Sequence, residues 1–159
     1  MTETFPSPGH DHDRCVDRVV AHAETICAAR GVRFTAQRRR VLAIVAGSHR
    51  AIGAYDIIEK LAKDGARPAP VTVYRALDFL IENGFVHRIA SRNAFVTCMR
   101  QHDDHAAVFL ICDRCGTIGE VEAGRVLGVV DSKARDTGFT VDRAVIEVSG
   151  QCRNCAADV

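Results

Sequence analysis

Four thiols in two Cys-x-x-Cys pairs are the densest concentration of reactive side chains in this sequence: Cys112 and Cys115 in "FLICDRCGTIGE", and Cys152 and Cys155 in "GQCRNC". That spacing lets two thiolates turn toward one ion, and two such knuckles in one small domain are suited to a tetrahedral four-cysteine zinc site. The rival use is a dithiol/disulfide couple, which typically opens a helix in a thioredoxin-like pattern that lowers the thiol pKa. Here "CDRCG" joins two strand-like runs and there are two pairs, so structural zinc is the expectation, with redox work as the alternative. The metal would hold together a domain whose core is too small to be stable unaided, because metal-binding free energy becomes folding free energy.

Four further potential ligands lie outside that set: His87, Cys98, His105 and Glu120. Singly, each has an ordinary explanation, as a surface imidazole, a buried free thiol, a linker histidine and an exposed carboxylate. Together they form an N, S, N, O set suited to Zn2+, and the thiolate weighs against a hard ion. His102 with Asp103 and Asp104 is a weaker, auxiliary cluster. His10, Asp11, His12 and Asp13 fit a mobile tail better than a chelate, and Cys15 and Cys27 fit core filling on an amphipathic face. No Ser/His/Asp-type arrangement, Gly-rich phosphate loop or paired-carboxylate motif stands out, so an enzyme is not expected.

The elements that must position these residues follow from periodicity. From Cys15, the residues Val16, Val19, Val20, Ala23, Ile26 and Cys27 recur at helical spacing until Gly31, a C-terminal stop. Thr35 caps a second helix with Val41, Leu42 and Val45 inward, and a third places Ala54, Ile57, Ile58 and Leu61 inward. Thr72 is expected to cap a fourth, whose stripe is Val73, Leu77, Leu80 and Ile81. "FVHRIA" and "AFVTCM" then read as a hairpin with His87 on its first strand and Cys98 ending its second. Helices followed by a two-stranded ribbon make a winged helix-turn-helix. Beyond "RQHDDH", strands "AVFLIC" and "TIGEVE", a helix over 124–138 and a strand over 139–150 make a small α/β unit. The fold class is therefore α+β, divided into a disordered tail 1–14, a winged-helix domain 15–92, wing end and hinge 93–100, and a second domain 101–159. His87 and Cys98 fall on one domain and His105 and Glu120 on the other, so one ion held by all four would fix the angle between them.

Charge agrees with this division. Residues 30–92 carry 12 Lys/Arg against 5 Asp/Glu, whereas residues 1–29 carry 2 against 5 and residues 93–159 carry 7 against 10. A basic block between acidic ones indicates a polyanion-binding module joined to something else. The longest apolar run, "VLAIVA", is far too short to cross a bilayer, and the N-terminus has no apolar signal segment. A cytoplasmic protein with reduced thiols and no membrane partner is expected.

With these residues in view, the sequence resembles the ferric uptake regulator family, and within it the zinc uptake regulator branch. The stretches that carry the likeness are "TAQRRRVL", "AYDIIEKL", "TVYRALDFLIENGFVHRI", "FLICDRCG" and "IEVSGQCRNC", within about residues 15–155. The resemblance implies a winged helix followed by an α/β dimerisation domain, and a homodimeric zinc-dependent repressor of zinc-uptake genes that binds double-stranded operator DNA. It places one structural zinc on Cys112, Cys115, Cys152 and Cys155 and one regulatory zinc on His87, Cys98, His105 and Glu120, with no organic cofactor. It also matches DNA-reading side chains to Tyr55, on the third helix, and to Arg75, on a recognition helix from Thr72 to Asn83, with Thr72 among the expected DNA contacts. Arg38, Arg39, Arg40, Lys60 and Lys63 are the expected phosphate contacts. Relatives sensing iron or peroxide tend to carry a His/Asp run where this sequence has Ala107, Val108 and Phe109, which weighs against a hard iron site; a regulator of the same family sensing iron, manganese, nickel or peroxide is the alternative.

Overall fold

The computed structural model describes residues 4–6, 11–99 and 107–157. Among these, residues 6 and 11–99 form one compact unit, and residues 4–5 with 107–157 form another.

The first unit consists of α1 (His12–Arg30), α2 (Ala36–Ala46), α3 (Ala54–Lys63), α4 (Pro70–Glu82), β1 (Val86–Ile89), a 3₁₀ turn (Ala90–Arg92) and β2 (Ala94–Thr97). Its core joins Ala23 and Cys27 of α1 to Val41, Leu42 and Val45 of α2, Ile57, Ile58 and Leu61 of α3, and Val73, Leu77 and Leu80 of α4. These positions repeat every three or four residues, so each helix turns one apolar stripe inward. Thr35 accepts a hydrogen bond from the Arg38 N–H, and Gly31, at φ 67°, ends α1 in the left-handed region that glycine enters without a Cβ penalty. The wing pairs antiparallel in the register His87↔Val96 and Val86↔Thr97. Ile52, between α2 and α3, exchanges two 2.9 Å main-chain hydrogen bonds with Phe95 and ties the wing to the helices.

Two helix starts depart from the sequence expectation. α1 begins at His12 rather than Cys15, because the Asp11 side chain accepts the Arg14 N–H and supplies an N-cap inside the stretch expected to be a tail. α4 begins at Pro70, with Thr72 in its first turn and not at its cap. Proline at the first helical position presets φ and gives up an N–H that would have no partner there.

The second unit consists of β3 (Ala107–Cys112), β4 (Ile118–Glu122), α5 (Gly124–Asp136), β5 (Ile146–Gly150) and a short α6 (Arg153–Ala156). The sheet order is β4-β3-β5, with β4 antiparallel and β5 parallel to β3. A parallel neighbour needs a crossover, and α5 supplies it. The strand expected over 139–150 is confined to 146–150, since the ladder with β3 runs only from Val108↔Ile146 to Cys112↔Gly150. No helix among the described residues is long and apolar enough to cross a membrane.

Candidate metal centre and nucleic-acid interface

The parallel pairing of β3 with β5 brings the two cysteine knuckles to the same end of the sheet. Cys112 closes β3, and its N–H donates to the Thr117 carbonyl at 3.0 Å while the Gly116 N–H returns to the Cys112 carbonyl at 2.8 Å. Gly116 completes this tight turn at φ 75°. Cys152 caps α6, and the Cys155 N–H donates to the Cys152 carbonyl at 3.1 Å. The Asp113 N–H donates to the Gly150 carbonyl at 2.8 Å and locks one knuckle to the strand that leads into the other. Arg114 and Gln151 both donate to the Cys155 carbonyl, at 2.7 and 3.2 Å.

The four sulfurs lie within 4.8 Å of one another, and all four cysteines are free thiols. Zn–S bonds of about 2.3 Å in a tetrahedron require sulfurs about 3.8 Å apart. Cys115 Sγ and Cys152 Sγ are separated by 3.8 Å, so the donor set fits zinc in both chemistry and spacing. Cys112, Cys152 and Cys155 are buried, and Phe5 packs against them. Main-chain N–H groups of Cys115 and Cys152 hold the Cys112 thiol down to about 6, and the Thr117 hydroxyl, 3.2 Å from Cys115 Sγ, lowers Cys115 as well. Burial first, and then the crowding thiols, push Cys155 up to about 12. Four sulfurs this close cannot all ionise unless a cation sits among them, and a coordinating zinc deprotonates its thiols outright.

The structure places the remaining expected site residues as follows. On the wing, His87 and Cys98 offer ligand atoms within 4.8 Å of each other. His87 pairs with Val96, two residues before Cys98, so both project from one face of the ribbon. Cys98 is buried, and its N–H donates to the Phe85 carbonyl at 2.9 Å. Glu120 lies on β4 of the second unit as a buried carboxylate, 6% exposed, the setting in which a carboxylate requires hydrogen bonds or a cation. His105 and the cluster of His102, Asp103 and Asp104 lie outside the described residues.

On α4, Thr72 and Arg75 stand on the exposed side opposite Val73, Ala76, Leu77 and Leu80. Among the described residues Arg75 has no hydrogen-bond or ion-pair partner, so its guanidinium is available to a ligand. Tyr55, in the first turn of α3, is 68% exposed, and Lys60 and Lys63 are exposed in its last turn. The three consecutive arginines, expected as phosphate contacts, each have a partner within the protein. Neighbouring helix positions are turned about 100° apart, so Arg38, Arg39 and Arg40 fan around α2 and cannot all meet one phosphate strand. Arg38 bonds the Arg33 carbonyl and covers the Phe79 ring at 3.5 Å, Arg39 pairs with Glu24, and Arg40 donates to the Leu61 carbonyl at 3.2 Å. Tyr74, expected from sequence to face away from the buried stripe, shares the exposed side of α4 with Val71, which was not singled out.

The Zinc uptake regulation protein of Escherichia coli (strain K12) is 42% identical over 138 residues, spanning 86% of this chain and 81% of that protein. Among solved structures, a zinc uptake regulator complexed with zinc and DNA is similar at a TM-score of 0.84 and 40% identity, covering 90% of this chain and 96% of the other. Holo XcZur is similar at a TM-score of 0.81 and 39% identity, covering 89% and 99%. A model described as the ferric uptake regulator family matches residues 29–149, and the chain belongs to that family.

Proposed function

We propose that this chain is a zinc-responsive transcriptional repressor of the cytoplasm, which binds operator DNA as a homodimer when zinc-loaded and represses zinc-uptake genes. The observation that carries this reading is the likeness, across most of both chains, to a zinc uptake regulator complexed with zinc and DNA. The wing thiol and imidazole add support, since a Cys ligand beside a His ligand selects a borderline-soft ion over a hard one.

In this reading Cys112, Cys115, Cys152 and Cys155 hold a structural zinc, while His87, Cys98, His105 and Glu120 hold the zinc that is sensed. Bound there, the ion supplies bonds that favour one arrangement of the wing relative to the second unit. A dimer reads DNA tightly only when both recognition helices reach half-sites about 34–36 Å apart, so zinc acts by selecting the competent population. The second unit has surface suited to self-association: α5 buries none of its residues and exposes Val126, Val129 and Val130, and β5 is an edge strand exposing Val148.

Fluorescence anisotropy on an AT-rich palindromic promoter fragment, with buffered free Zn2+, Fe2+ or Mn2+ titrated at fixed salt, tests this directly. Binding is expected to switch on with zinc in the low free-metal range; activation by iron or manganese instead would give the chain a different signal. Cys98→Ser is expected to keep the fold and the structural metal yet lose the metal-dependent gain in affinity, of order tenfold. An unchanged zinc response in that variant would remove Cys98 from the sensing set.

A further inference from the structure

Residues near the N-terminus do more than precede α1. Phe5 packs against the cluster of Cys112, Cys152 and Cys155, and its carbonyl accepts a 3.2 Å hydrogen bond from Arg153, the residue between Cys152 and the rest of the second knuckle. Phe5 also lines a cleft with Leu110, Val148 and Gly150, on the strands that carry both knuckles. Beside it, Thr4 and Phe5 lie so close over Gly119 of β4 that a Cβ there would stand 2.7 Å from Thr4 Cγ2, 2.9 Å from Phe5 Cζ and 3.0 Å from the Thr4 carbonyl oxygen. Gly119 has no left-handed φ to explain it, so the absence of a side chain serves this close approach. Pro6 restricts the backbone of Phe5 and reduces the entropy lost on docking.

We propose that Thr4 and Phe5 form a strap across the four-cysteine centre, which controls how fast its metal is lost and how readily its thiolates react. The strap rests on the reading of the four cysteines as a zinc site. A buried centre exchanges metal through local opening, so its rate follows the population in which the cover is lifted. Phe5 supplies the apolar cover, Arg153 anchors the main chain, and Gly119 provides the seat.

The test uses the full chain purified with its metal. Zinc transfer to excess EDTA, followed with a colorimetric zinc indicator, and thiol modification by a disulfide reagent are timed for the parent, Phe5→Ala, Gly119→Ala and the double variant. Each single variant is expected to accelerate both processes about tenfold, and the double variant to be no faster than either single one, because residues acting through one contact are not additive. Gly119→Ala is informative because its backbone accepts alanine and the three atoms nearest its Cβ all belong to the strap. Single-variant rates within about twofold of the parent, or fully additive effects, would overturn the strap. A parent chain that carries no zinc on its cysteines would overturn the reading of the four thiols as a zinc site and the strap with it, which metal analysis before the kinetics separates from the first result.

Discussion

Removing the metal from the four-cysteine centre is expected to unfold residues 107–157 while the winged unit keeps its structure. The two units are unequal in core. The first packs sixteen buried residues from four helices and the wing into one cluster. The second buries short stretches of β3 and β4, and its longest helix, α5, buries nothing. A structural zinc contributes an apparent binding free energy of about 10–16 kcal/mol, against a whole-domain stability of about 5–15 kcal/mol. Losing the metal therefore removes as much free energy as such a unit can hold. Thermal unfolding followed by circular dichroism, with and without a strong chelator, should show one transition lost and one retained, and Cys112→Ser should give the same pattern without chelator. A second unit whose melting is unmoved by complete zinc removal would make the centre dispensable for folding.

Arg75→Ala is expected to weaken operator binding by about 1–3 kcal/mol and to relax discrimination at one base pair. α4 buries Val73, Ala76, Leu77 and Leu80 against the helical core, which fixes the opposite side toward solvent. Arg75 stands on that side with no partner among the described residues, so contact with a guanine edge would not require breaking an internal ion pair. Lys63→Ala provides the contrast: loss of a phosphate contact should weaken binding on all sequences alike and reduce the salt slope by about 1. Anisotropy titrations on operator, single-mismatch and random duplexes distinguish the two. Equal losses for Arg75→Ala on operator and random DNA would assign it to the phosphates.

Local signals were the most legible part of this sequence. Thr35 and Gly31 each specify a helix end through their own side chain or its absence, and both do so in the structure. The two cysteine knuckles were legible for a related reason, since each spacing turns two thiols the same way, whereas their meeting at one end of the sheet rests on the pairing of β3 with β5. What depended on neighbours was missed. The length of β5 is set by its ladder with β3, which no property of residues 139–145 announces. Apolar periodicity located α1 but not its start, because Asp11 begins the helix before the first apolar residue that registers. Phe79, Glu24 and Leu61, the partners of Arg38, Arg39 and Arg40, come from other helices, and no property of the three arginines announces them. Thr4 and Phe5 gave no periodic signal, and their place over Gly119 follows from the tertiary fold.

The parallel pairing of β3 with β5 has a consequence for the order of events during folding. Cys112 and Cys152 are separated by 40 residues, and α5 must be threaded across before β5 can lie beside β3. The first knuckle can form early from local residues, but it offers only two sulfurs, a weak and exchangeable grip on an ion. Capture by all four requires the long loop to close, the slow and entropically costly step of such a topology. A zinc held by all four cysteines would therefore latch the domain only after β5 has joined β3, since before that step one knuckle alone offers two sulfurs.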